Sequence, residues 1–320
     1  MRIEHDGVSG FGEVAPQPWA LNGDPSLDDV LEELTQIAVP QLLGVVAREH
    51  EPPSWTRVAR FAGGRSASPV AVALLEMALL DRELRAHSAD ALSLWPRHFN
   101  TPVQNTVSLL DEEPWVLSDD VARVRAKTAP GPLSTWSLER LGDLTVPVLL
   151  DFNCSVSEDN QVLEQVAQLS EFVTLDAVEQ PYAEGNLIDH ATLAEQLAVD
   201  VSLDEGVRNL RDLEQIHRYH AARMVCIKPA RVGGLANARA MVTRALELGL
   251  RPYIGGFFES PFARHVNRLL AEHCVEEPSD VGLVATNASP ELREVTVVPG
   301  GLGLAPSPGV LARSQLLATW

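Results

Sequence analysis

Five short apolar runs end in a charged residue, Lys127, Asp151, Glu179, Asp204 and Lys228, at separations of 24, 28, 25 and 24 residues. Each interval has room for one helix and one strand, and helical patterns fill the gaps. Val162, Val166 and Leu169 share a helix face, Asn209-x-x-Asp212 opens another helix carrying Leu210, Leu213 and Ile216, and a third runs from Leu235 to a stop at Gly249. Strands alternating with helices at this period require a parallel sheet, since a parallel neighbour is reached only through a crossover of a dozen or more residues. The candidate strands are 103–109, 121–127, 146–151, 172–179, 199–204, 224–228 and 252–256. Periodicity leaves open whether the sheet is doubly wound or closed into a barrel.

Residues 1–100 carry a different pattern and are expected to form a small α+β domain. Gly10-Phe11-Gly12-Glu13-Val14-Ala15-Pro16 looks like a strand end or hairpin turn. Ser26-Leu27-Asp28-Asp29 has the spacing of a capping box, and Leu27, Val30, Leu31, Leu34, Ile37 and Ala38 then follow a helical period. Ser68-Pro69 supplies an N-cap and first-turn proline for a helix reaching about Leu84, apolar on nearly every side, which is therefore expected between two layers. Residues 101–290 form the alternating domain. Residues 291–320 are loop-like, with a strand-like start at Val295, and are expected to return to the first domain.

The chain has 320 residues, long for one core, and 45% hydrophobic with 22% charged residues is globular composition. Its net charge of −19 repels phosphate backbones and anionic lipid, which disfavours nucleic-acid and membrane-surface roles and points to a small-molecule partner. The apolar stretch from Pro69 to Leu80 is too short to span a bilayer, and Arg2, Glu4, His5 and Asp6 stand where a signal peptide would be apolar. Three scattered cysteines, Cys154, Cys226 and Cys274, make no disulfide framework. A cytoplasmic location is expected. The nine histidines show no zinc spacing, and no phosphate-cradling glycine loop is present.

In a parallel barrel all strand C-termini meet at one face, so the five charged residues would converge on one site. For any one of the three acids the plainer account is solvent exposure or pairing with a lysine. Three carboxylates together would repel one another without a cation, and an all-oxygen set suits Mg²⁺, with Mn²⁺ as the substitute. Lys127 and Lys228 flank the acids, and cationic neighbours would depress a lysine into the range of a general base. Arg125 shares a strand face with Lys127. Cys154 is read as a packing residue and His265 as a helix-surface histidine.

The motifs, in order, are Gly10-Phe11-Gly12-Glu13, Arg125-Ala126-Lys127, Asp151-Phe152-Asn153, Val178-Glu179-Gln180-Pro181, Leu203-Asp204-Glu205, the run from Ile227 to Gly234, and Gly255-Gly256-Phe257-Phe258-Glu259-Ser260. Together they resemble the enolase superfamily in its muconate lactonizing branch. The resemblance implies a modified (β/α)₇β TIM-like barrel with an α+β capping domain, and Asp151, Glu179 and Asp204 as Mg²⁺ ligands. It also implies Lys127 and Lys228 as the acid/base pair, with Arg125, Asn153, Glu205, Gly256, Glu259 and Ser260 as substrate-binding or supporting residues. A lysine base and Mg²⁺ are a general property of superfamily sites rather than a reading of these residues.

Within that branch the run from Ile227 to Gly234 and the Gly-Gly-x-x-Glu-Ser stretch are most similar to o-succinylbenzoate synthases of menaquinone synthesis, lyases that dehydrate a cyclohexadiene carboxylate, and to their N-acylamino acid racemase relatives. The alternatives are N-acylamino acid racemase, a muconate-type cycloisomerase, or a homologue that binds a carboxylate without catalysis. Two departures stand out. Arg125 replaces the first lysine of the family's Lys-x-Lys, and Pro261-Phe262-Ala263-Arg264-His265-Val266-Asn267 replaces a glycine-rich loop and Arg-Ala-His-Asn run. Met1-Arg2-Ile3-Glu4 also begins close to the strand before Gly10, without the family's first strand and mobile loop, so either the start codon is misassigned or a more open pocket is expected.

Overall fold

The computed structural model describes residues 1–50, 52–58, 67–112, 114–115, 117–282, 295–297, 300–302 and 304–306. The expected barrel strands are present: β3 (Val103–Ser108), β4 (Val121–Lys127), β5 (Val148–Asp151), β6 (Leu175–Glu179), β7 (Asp200–Leu203), β8 (Met224–Ile227) and β9 (Arg251–Ile254). They follow the β1 (Arg2–His5) and β2 (Val8–Phe11) hairpin and form one parallel sheet in sequence order. The sheet curls until its edges share a segment. Ser279 gives its N–H to Pro102 and takes one from Gln104, while the next residue, Asp280, donates to Ile254. Ser279 and Asp280 thus sit between β3 and β9, an arrangement consistent with an α/β barrel.

Between the strands lie α6 (Thr135–Gly142), α7 (Asp159–Leu169), α8 (Leu187–Gln196), α9 (Leu210–Tyr219), α10 (Pro229–Val232) and α11 (Leu235–Glu247), and α12 (Pro261–Cys274) follows β9. Their starts are written locally. Asn209 and Asp212 form a capping box at α9, and Ser134 and Ser260 cap α6 and α12. Buried Leu213 and Ile216 of α9 and Ala238, Met241, Val242 and Ala245 of α11 pack over Val225 and Ile227 of β8, so the helical and strand periods meet in one core.

Before the sheet come α1 (Leu27–Glu33), α2 (Val39–Glu49), α3 (Trp55–Val58), α4 (Pro69–Ala86) and α5 (Ala91–Leu94). Ser26 and Asp29 make the expected capping box on α1. The apolar stripe is narrower than its sequence suggests. Val30, Leu34, Ala38 and Leu42 are buried, whereas Leu27 and Leu31 are exposed. A π-helical turn at Leu34–Ala38 joins α1 to α2 just before Pro40, whose missing N–H cannot complete a regular turn. The continuous run Leu27–Glu49 is long and apolar enough to cross a membrane, which Pro69 to Leu80 is not, but its buried residues pack on α4.

Helix α4 lies between two layers as expected. On one side the hairpin closes onto its backbone at Gly10 and Gly12, where a Cβ would collide with the carbonyls of Ala78 and Leu74. On the other side Glu76, wholly buried, takes the N–H groups of Leu235 and Ala236 at the start of α11. Asp81 takes those of Phe11 and Leu302 and pairs with Arg85 at 2.9 Å. Through Leu302, and through Gly301, which bonds Ala89, the C-terminal segment reaches α4 and its surroundings. Val295–Val297 and Leu304–Pro306 pair as β10 and β11. The expected boundary at residue 290 and the tail beyond 306 lie outside the described residues.

Candidate active site

Strand register assembles the site. Lys127 pairs with Asp151, and Asp151 with Glu179, so three strand-end side chains stand in one row. Glu179 pairs with Ser202, which puts Asp204 just past the end of β7, and Lys228 follows β8 as the N-cap of α10. Gln180, in the left-handed region at φ +38°, turns the chain out of β6. Its Oε1 accepts from the N–H groups of Asp204 and Gly206, clamping two strand ends together. Asn153 and Cys154 leave β5 the same way at φ +43° and +63°. Such a cluster of strained non-glycine residues is characteristic of functional sites.

Asp151, Glu179 and Asp204 are wholly buried, and the group among them is the guanidinium of Arg125. Its Nη2 lies 2.8 Å from Asp151 Oδ2 and 3.1 Å from Asp204 Oδ2, and it donates to Glu179. Lys228 Nζ donates to Asp204 Oδ2 at 2.7 Å, Arg231 holds the other Asp204 oxygen, and the Tyr253 hydroxyl donates to Glu179. Lys127 Nζ donates to Asn153 Oδ1 at 2.7 Å and stands 3.5 Å from Asp151. The repulsion among the acids that implied a divalent ion is therefore offset here by the chain's own cation.

The electrostatics follow from burial and pairing. Burial pushes Glu179 up to about 8 against the pull of Arg125. Burial also opposes ionisation of Asp204, but Lys228, Arg231 and Arg125 hold it well below the usual carboxylate range. For Lys228 burial acts downward, yet Asp204 raises the ammonium above its ordinary value. This corrects the expectation of a depressed Lys228, because the acid partner outweighs the cationic neighbours.

A cavity of about 580 Å³ opens over this cluster. Arg125, Lys127, Asn153, Glu205, Lys228 and Gly256 are on its wall, while the three acids lie beneath. Trp19, Leu21, Trp115, Phe257 and Phe258 supply an apolar side. Glu259 and Ser260 do not line it. Glu259 takes the N–H of Phe257, and Ser260 caps α12 and binds Glu13, so both support the wall from behind. The altered segment after Ser260 forms about the first two turns of α12, from which Arg264 reaches Asp280 and the cavity. Cys154 and His265 are half-buried, and burial raises the one thiol and lowers the one imidazole.

Four residues of the network were not singled out from sequence. Arg231 is three residues after Lys228, one helical turn on, and that spacing could have flagged it. Tyr253 could have been found as an inward position of β9. Asn22, which donates to Glu205, and Asp24, paired with Arg231 at 2.7 Å, come from a loop some 200 residues earlier and carry no local signal.

The three carboxylates are an all-oxygen donor set fit for Mg²⁺, and Asp151 Oδ2 is buried without a hydrogen bond. Among the described residues, however, no group of three or more acids, histidines or cysteines is arranged to hold a metal ion. The donors fit, but the ion and the inward Arg125 cannot share the space.

Residues 110–295, more than half of the chain, match the family model described as "Enolase C-terminal domain-like". The chain belongs to the enolase superfamily. Over 97% of its length it is 28% identical to an N-succinylamino acid racemase from Amycolatopsis sp, covering 88% of that protein. An o-succinylbenzoate synthase from Bacillus subtilis is 27% identical over 84% of this chain and 72% of its own. The muconate lactonizing enzyme from Pseudomonas putida superposes with a TM-score of 0.77 at 17% identity, over 98% of this chain and 92% of that one, a likeness of fold alone. All three relatives are enzymes, and superfamily members generally use Mg²⁺.

Proposed function

We propose that this chain is a cytoplasmic lyase of the o-succinylbenzoate synthase type, acting on a small carboxylate in menaquinone synthesis. The observation that carries the reading is the inequality of the two lysines. Lys127 has 32% of its side chain exposed to the cavity, whereas Lys228 has 7%, is locked to Asp204 and lies 4.6 Å from the centre of the Phe257 ring. Racemisation needs a proton-exchanging group on each face of the substrate carbon, while dehydration needs one.

In this reading Lys127 Nζ takes the proton from the carbon next to the substrate carboxylate. Hydroxide leaves the neighbouring carbon, accepts that proton and departs as water, and the ring becomes aromatic. Lys228 stays protonated as a fixed cation facing the ring. Asp151, Glu179 and Asp204 would hold Mg²⁺ or Mn²⁺, which when bound supplies positive charge at the carboxylate end of the substrate. Trp19, Trp115 and Phe258 give the organic part an apolar wall and exclude water. Residues 1–100, together with the tail 291–320, act as the capping domain over a barrel spanning 101–290.

The second reading is N-acylamino acid racemase, favoured by the match to the racemase from Amycolatopsis sp over 97% of this chain and 88% of that protein. One preparation with Mg²⁺ separates the two. We expect ultraviolet loss of 2-succinyl-6-hydroxy-2,4-cyclohexadiene-1-carboxylate to outpace deuterium uptake by N-succinyl amino acids followed by proton NMR. Deuterium uptake without dehydration would move the chain to the racemase reading, and silence in both assays to a carboxylate-binding homologue.

A further inference from the structure

Arg125 reaches three carboxylates from three different strands with one nitrogen. A divalent ion shared by the same oxygens would have to lie within their first contact shell, at about 2.0–2.1 Å for Mg²⁺. The Arg125 nitrogen already fills that space, and two cations cannot occupy it together.

The guanidinium is also incompletely satisfied where it is. Its Nε is buried without a hydrogen-bond partner, and Asp151 Oδ2 meets it by charge without a well-aligned hydrogen bond. Arg125 lies on the cavity wall as well as over the acids. Turning outward would bring its planar fork into the cavity, where it could hold a carboxylate through two parallel bonds, a geometry that a lysine in the same position cannot offer.

We infer that Arg125 is a built-in competitor for the divalent ion, neutralising the carboxylates of the metal-free protein and turning into the cavity when the ion enters. The inference rests on the metal reading above and adds to it a residue of this chain that sets how tightly the ion is held. It follows that ion binding is weakened by the cost of displacing Arg125.

The test is Mn²⁺ binding to the metal-free full-length protein, read by electron paramagnetic resonance of the free ion and by calorimetry, for wild type, Arg125→Met and Arg125→Lys. We expect Arg125→Met to bind about tenfold or more tightly than wild type, the effect of no longer giving up a charge-assisted hydrogen bond. Added Mg²⁺ should raise its melting temperature more than that of wild type. If Arg125→Met does not fold without metal, Arg125→Lys keeps a charge but has a shorter reach, and should show a smaller gain in the same direction. Equal or tighter binding by wild type would overturn the competition while leaving the metal reading intact. Absence of binding in all three proteins would overturn both.

Discussion

In the proposed mechanism Lys127 and Asp204 separate chemistry from support at the level of single residues. Lys127 is partly exposed and held by one good hydrogen bond to Asn153, so its removal leaves little unpaired. Lys127→Ala should lower kcat by about 10² or more, the size of a general-base contribution, with an unchanged melting temperature. Turnover close to wild type would remove it from the mechanism. Asp204 is different, because Lys228, Arg231 and Arg125 all depend on it in a fully buried setting. Asp204→Asn should destabilise the fold by about 3–5 kcal/mol in denaturant unfolding, the cost of leaving buried charge unpaired. A loss of activity at full stability would contradict that structural share of its role.

Most of this site was legible in sequence because it is made of strand ends, and the register of a parallel barrel turns regular spacing into convergence. Arg125 was legible as a member of the site but not as its central cation, since strand periodicity gives the face of a side chain and not how far it reaches. Glu259 and Ser260 were read as substrate-binding or supporting residues from a motif alone, which does not say what they touch. Their actual partners, Phe257 and Glu13, are set by the start of α12 and by a hairpin nearly 250 residues away.

At the scale of elements, α4 is the joint between hairpin, barrel and tail, and its buried acids make that joint sensitive to pH. Burial raises Glu76 from 4.5 to about 7, against the pull of the Ala236 and Leu235 N–H groups. Between those two values the folded chain keeps a proton that the unfolded chain has lost, so this group's contribution to stability is fully present below about 4.5 and is lost as the pH rises towards 7. Glu76→Gln should therefore flatten the fall in melting temperature across that window, and an unchanged slope would contradict the assignment. Gly12→Ala tests the other face of α4. Its Cβ meets backbone at Leu74, so a loss of about 1–3 kcal/mol is expected from overpacking, with kcat preserved in the folded fraction. The helix itself was readable from Ser68-Pro69 and its apolar surface. The exposure of Leu27 and Leu31 was not, because a helical period shows that a stripe exists but not how much of it a neighbour covers.

The whole molecule joins a curled parallel sheet, an enolase-superfamily sequence and a pocket whose two lysines stand in unequal settings. In the proposed mechanism only one of them exchanges protons. The most direct test is the rate of α-deuterium uptake from D₂O, by proton NMR, for each enantiomer of one N-succinyl amino acid presented separately to the same protein. Exchange confined to one enantiomer, and abolished by Lys127→Ala, is the predicted result. Comparable exchange of both enantiomers would contradict it, since Lys228 would then be giving up the proton that Asp204 is said to hold in place.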